Sequence, residues 1–140
     1  MTAHPELTRN QALVLKALGQ AEIPLSAYTI LDLLRDDGFR APLQVYRALD
    51  KLQELGLVHR LESISAFVAC AHPHCHAHEI IAFAICRTCG RVNEFSDAGI
   101  EERLGRWIEA HKFEPEKTTI EMSGLCAACA DPSNGASVGA

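Results

Sequence analysis

Two cysteine pairs of identical spacing limit what this chain can fold into. Cys86-Arg-Thr-Cys89 runs into Gly90, and Cys126-Ala-Ala-Cys129 follows with 36 residues between the pairs. Each Cys-x-x-Cys turn can aim two thiolates at one point. Two facing turns supply four soft ligands for a tetrahedral Zn²⁺. The stretch between them is long enough for a small βαβ unit, so the metal would pin both ends of one domain. Such a site is structural, because it is closed and keeps no open position for chemistry. A thioredoxin-like redox pair fits poorly, since that motif usually occurs once, at a helix start after a strand. Disulfides need an oxidising compartment. Residues 1–20 show no apolar run behind a basic start, so no signal peptide is expected.

A 140-residue chain with 48% hydrophobic residues can form one domain or two small ones with a packed core. No apolar run approaches the roughly 20 residues of a membrane span, so a cytoplasmic protein is expected. Net charge is −5, which counts mildly against nucleic acid as a partner. The imbalance is uneven. Residues 1–60 hold seven Lys/Arg and seven acids, whereas residues 61–140 hold six and eleven. A local basic face therefore remains open to the first half.

The first half reads as three helices and a hairpin. Thr8 caps a helix to about Gln20, and Ile23-Pro24-Leu25 breaks it. Ser26 caps a second helix, Ala27 to about Asp37, ended by Gly38. Ala41-Pro42 opens a third, running through Leu55 and terminated by Gly56. Its apolar positions Val45, Leu49, Leu52 and Leu55 recur at three and four residues, opposite Gln44, Arg47, Lys51 and Gln53. Residues 57–61 and 66–69 read as two short strands. This is the layout of a winged helix-turn-helix, whose third helix enters a major groove. Arg47 could fork to guanine O6/N7 and Gln44 could pair with adenine; the alternative is an ordinary polar helix face.

Between the halves, residues 72–79 contain four His, one Cys and one Glu. Neutral imidazole is a common metal ligand, but six such residues cannot all bind one ion. His59 and Cys70 could reach the same place. The second half then reads as a strand over 80–85, a strand over 91–95, and a helix capped by Asp97 over about 98–110. Ile100, Leu104, Trp107 and Ile108 form that helix's expected buried stripe, and a third strand spans 116–122. So small a sheet needs zinc and subunit pairing for stability. Residues 131–140 read as a disordered tail.

The stretches Ser26-Ala27-Tyr28, Leu31-Asp32-Leu33-Leu34-Arg35, Val45-Tyr46-Arg47-Ala48-Leu49, Gly56-Leu57-Val58-His59, Cys86-x-x-Cys89-Gly90 and Gly124-Leu125-Cys126-x-x-Cys129 resemble the ferric uptake regulator family, and within it the zinc-sensing branch. The likeness covers about residues 7–130. It implies an α+β protein: an N-terminal winged helix-turn-helix over 1–70, a His-rich hinge over 71–79, and a small α/β dimerisation domain with a structural zinc over 80–130. Cys86, Cys89, Cys126 and Cys129 match the structural zinc cysteines. His59, Cys70, a histidine before the strand and Glu94 match the regulatory zinc site. The register puts that histidine position on Glu79, and a one-residue slip, which we favour, restores His78. Tyr28 and Arg47 match DNA-contacting positions, with Tyr46 in the same helix. Asp32 and Arg35 match a pair that bridges adjacent dimers.

Some residues depart from the family pattern. Leu43-Gln44 replaces Pro-Thr before Val-Tyr-Arg, which could alter base preference. Arg9-Asn10-Gln11 replaces Pro-Gln-Arg, so one phosphate-facing arginine is missing or moved. Phe83 stands where the iron-sensing branch has histidine, and a Cys70 ligand suits Zn²⁺ over Fe²⁺. The resemblance implies a homodimeric, zinc-responsive repressor of zinc uptake genes. It would hold two Zn²⁺ per monomer and bind operator double-stranded DNA, with no membrane and no small-molecule substrate. A relative sensing iron, manganese or peroxide is the alternative. A zinc enzyme using Glu79 or Glu94 as general base has no substrate-pocket motif behind it.

Overall fold

A computed structural model of the chain describes residues 6–70 and 80–131. The expected hinge, with His78 and Glu79, and the expected tail beyond Asp131 lie outside the described residues. The chain forms two compact units, Met1–Pro73 and His74–Ala140.

The first unit opens with α1 (Arg9–Gln20). Thr8 Oγ1 accepts the Gln11 N–H at 3.2 Å, and Gln11 Oε1 accepts the Thr8 N–H at 3.0 Å. Two of the helix's orphan donors are thereby satisfied reciprocally. Ser26 caps α2 (Ala27–Leu33) by accepting the Thr29 N–H at 3.1 Å. The second helix is shorter than its periodicity suggests. It ends at Leu33, and a 3₁₀ turn at Arg35–Asp37 carries the chain to Gly38 at φ 98°. That left-handed corner suits glycine and lets Phe39, 1% exposed, turn back into the core. Pro42 occupies the first position of α3 (Pro42–Glu54), where its missing N–H is no loss.

The wing is an antiparallel pair, β1 (Val58–Leu61) and β2 (Ala66–Ala69), in the register His59 opposite Val68. Leu25, expected only as part of a helix break, forms a bridge with Phe67. Leu25 N donates to Phe67 O at 3.0 Å and Phe67 N donates to Leu25 O at 2.8 Å. The core lies where the three helices meet the wing. Val14, Ile30, Val45, Leu49 and Leu52 are at 0% exposure. Removing one such leucine to Ala would destabilise by about 2–5 kcal/mol.

The second unit is a three-stranded sheet in the order β4-β3-β5. Its centre is β3 (Ile80–Cys86), antiparallel to β4 (Val92–Phe95) and parallel to β5 (Thr118–Gly124). Between β4 and β5 runs α4 (Ala98–His111), capped by Asp97 Oδ1, which accepts the Gly99 N–H at 2.7 Å. The expected buried stripe of α4 is only half covered. Ile100, Leu104 and Ile108 are partly exposed, and Trp107 is 51% exposed, stacked on His111 with ring centroids 4.3 Å apart. A sheet of three strands has too little face to cover an amphipathic helix fully. A four-residue helix, α5 (Ala127–Ala130), follows β5; a helix this short has no periodic signature in the sequence. No helix among the described residues is long and apolar enough to cross a membrane.

Candidate metal centre and nucleic-acid interface

The parallel ladder builds the metal centre. Seven residues of β3 pair with seven of β5, ending with Cys86 opposite Gly124. The two cysteine turns therefore leave adjacent strands at the same end of the sheet. Arg87 N donates to Gly124 O at 2.8 Å and ties them together. In the first turn, Gly90 takes φ 81°, and the Cys89 N–H points at the Cys86 sulfur at 3.4 Å. In the second, Ala130 N donates to Cys126 O at 2.8 Å.

All four sulfurs lie within 4.8 Å of one another, and Cys89 Sγ is 3.8 Å from Cys126 Sγ. A tetrahedron of Zn–S bonds about 2.3 Å long has edges of about 3.8 Å. The residues present thus fit a four-thiolate zinc in both chemistry and spacing. The electrostatics agree. Amide donors, first that of Cys89 and then that of Cys126, bring the Cys86 thiol from 9.0 down to about 5. The Cys129 amide lowers Cys126. Cys129, whose proton is shared toward Cys126, is pushed up to about 12. A divalent cation among the four sulfurs would favour their thiolate forms.

Three of the residues expected to contact DNA are exposed. Tyr28 on α2 is 63% exposed, and Tyr46 (39%) and Arg47 stand on the outer side of α3 while Val45, Ala48 and Leu49 are buried beneath. Gln44 is placed differently from a base reader. Its Oε1 accepts the Arg40 N–H at 2.6 Å and the Ala41 N–H at 3.0 Å, so it caps its own helix. The sequence carried a signal for this: glutamine three residues after the cap position is the reaching half of a capping box. Arg9 donates from Nη1 to Asp37 O at 2.9 Å. Asp32 and Arg35 pair with each other, Nε to Oδ1 at 3.0 Å, both exposed.

The wing carries His59 and Cys70. Cys70 lies two residues beyond Val68, the partner of His59, and donates its N–H to Leu57 O at 2.8 Å. An imidazole nitrogen of His59 and the Cys70 sulfur are within 4.8 Å of each other. Cys70 is disulfide-bonded. Glu94 stands in the second unit on β4, opposite Phe83.

Three helices with a wing, followed by a small mixed sheet closed by four cysteines, define a winged-helix protein with a closed thiolate metal site. Comparison with known proteins agrees. The family model described as the ferric uptake regulator family matches residues 6–123. The chain is 38% identical over 126 residues to the zinc uptake regulation protein of Escherichia coli (strain K12), covering 89% of this chain and 73% of that one. The crystal structure of holo XcZur is 42% identical, with a TM-score of 0.80 over 89% of this chain and 86% of the other. A zinc uptake regulator complexed with zinc and DNA is 36% identical, with a TM-score of 0.81 over 91% and 85%. The chain belongs to the ferric uptake regulator family.

Proposed function

We infer that this chain is a zinc-responsive, DNA-binding transcriptional repressor of zinc uptake genes that works as a cytoplasmic homodimer. The observation that carries this reading is the likeness to a relative complexed with both zinc and DNA, along 91% of this chain. The exposed Tyr46 and Arg47 on α3 supply the matching chemistry for base edges. The half-covered stripe of α4 and the small sheet suit a second copy of the chain.

We assign two zinc ions per monomer. Cys86, Cys89, Cys126 and Cys129 hold the structural one. His59, Cys70, His78 and Glu94 hold the regulatory one; family resemblance and the pairing of His59 with Cys70 on the wing support this. Bound there, zinc would supply a soft Lewis acid for these donors. His59 must be neutral and Cys70 reduced and ionised to serve. The response can be only as large as the difference in zinc affinity between the DNA-competent arrangement and the others. Zinc binding would favour the dimer conformation in which the paired α3 helices read both half-sites together.

Operator binding titrated against buffered free Zn²⁺, Fe²⁺ and Mn²⁺ tests this. Zinc should promote binding at the lowest free concentration. A response to iron or manganese with none to zinc would assign the chain to another branch of the family.

A further inference from the structure

The cations of the first unit are not equally available. Of its seven Lys/Arg, four are engaged: Arg9 on Asp37 O, Arg35 on Asp32, Lys51 near Glu54 at 3.8 Å, and Arg60 between Glu62 at 3.6 Å and the Phe67 ring at 5.9 Å. Among the described residues, Lys16, Arg40 and Arg47 carry no ion pair. Lys16 belongs to α1 and Arg47 to the outer side of α3. Arg40 is exposed, seven residues ahead of Arg47, where the chain enters α3.

The Arg40 backbone is held firmly there. Gln44 Oε1 accepts both the Arg40 and the Ala41 N–H. A carbonyl oxygen has two lone pairs, and both are used. A fork to adenine would need that same oxygen to accept the base N6–H₂ while Nε2 donates to N7. It would therefore break the cap. The side chain that sequence chemistry offers as a reader is committed to its own backbone, and what it holds is the backbone of an arginine that carries no ion pair among the described residues.

We propose that Arg40 binds a DNA phosphate at the leading end of α3, and that Gln44 positions it and does not read a base. This rests on α3 being the reading helix. Phosphate contacts set register on the duplex, and helix ends are where chains meet the backbone. An arginine there adds affinity that is independent of sequence and sensitive to salt.

The test uses the full-length, zinc-loaded protein, a duplex enriched by it from a random pool, and a scrambled duplex of equal length. Binding is measured across a salt series. Arg40→Ala should weaken binding to both duplexes by the same factor and make the log–log salt slope shallower by about 0.9. Arg40→Lys should restore the slope. Gln44→Ala should weaken both duplexes equally, flatten the slope in part, and add little to Arg40→Ala when the two are combined. An unchanged slope in Arg40→Ala overturns the proposal. So does a Gln44→Ala loss of discrimination between the duplexes in the range of roughly 5- to 150-fold that a base reader would show. Arg47→Ala, run alongside, separates the two levels: if it keeps full discrimination, α3 is not the reader and the underlying assignment falls first. Thermal melting of each variant establishes that the first unit is folded.

Discussion

Cys89 and Cys126 hold their sulfurs 3.8 Å apart across 36 intervening residues. That separation is the edge of a zinc–thiolate tetrahedron (about 3.8 Å), and it joins the turn after β3 to the turn after β5. The contact closes the second unit around its parallel strand pair.

Replacing Cys126 with Ser should therefore cost the second unit its fold. Structural zinc contributes on the order of 10 kcal/mol in small metal-folded domains, more than so small a sheet can supply by burial alone. Metal analysis should show one zinc fewer per chain. Calorimetry should lose the transition of the second unit while the first still melts. A Cys126→Ser protein with full zinc content and unchanged melting would remove the structural assignment.

Arg47→Ala should reduce discrimination between operator and unrelated DNA by about 1–3 kcal/mol for each base pair it forks to. Tyr28→Ala should weaken operator binding as well, since that residue is 63% exposed. Competition binding with point-substituted duplexes reads both effects. Equal affinity of the Arg47→Ala protein and the unsubstituted protein for every duplex would rule out α3 as the reader.

The Asp32–Arg35 pair offers a third test. Within one chain it is an exposed i,i+3 contact at 3.0 Å, worth under about 1 kcal/mol. If both residues instead reach a neighbouring dimer, Asp32→Ala should lower cooperativity on a long operator. It should leave binding to a one-dimer duplex and the melting temperature almost unchanged. An equal loss on both duplexes would return the pair to a surface contact of no regulatory weight.

How much of this was visible in the amino acids depended on how local the cause was. Thr8, Ser26, Pro42 and Asp97 each act within one helical turn, and the helices begin where they predict. The cysteine spacing foretold the closed cluster because its geometry belongs to the metal. Other features depended on distant partners. The second helix stops at Leu33 because Gly38 must swing Phe39 into the core. β5 starts at Thr118, two residues later than its composition suggests, because pairing begins opposite Ile80. The carboxamide chemistry of Gln44 suits an adenine edge and equally a helix cap. What decides its role is an unpaired amide at the entrance of its own helix.

The sensor assignment gives a fourth prediction. His59→Ala, Cys70→Ser and Glu94→Ala should each fold normally, because the four-cysteine site remains, yet each should need at least tenfold more free zinc to bind operator, since losing even a group that only orients a ligand costs about tenfold or more. His78→Ala should hurt more than Glu79→Ala. The Cys70 disulfide sharpens the test, since a bridged sulfur is no thiolate ligand. Protein kept oxidised should respond weakly to zinc, and a thiol reductant should restore the response. Identical zinc curves for oxidised, reduced and Cys70→Ser protein would take Cys70 out of the sensor.

The parallel pairing of β3 with β5 also has a meaning in time. A ribosome adding about 5–20 residues per second delivers Cys126 roughly two to seven seconds after Cys89. The winged unit is complete by then, its core drawn wholly from residues already made. During that interval the chain carries a finished winged unit and half a metal site. Its central strand lacks a neighbour, and two bare thiols face whatever ions the surroundings provide. For a repressor that answers to zinc, the metal that completes its scaffold is also the metal it is to measure, so scarcity of zinc would act first on newborn chains and only afterwards on finished ones.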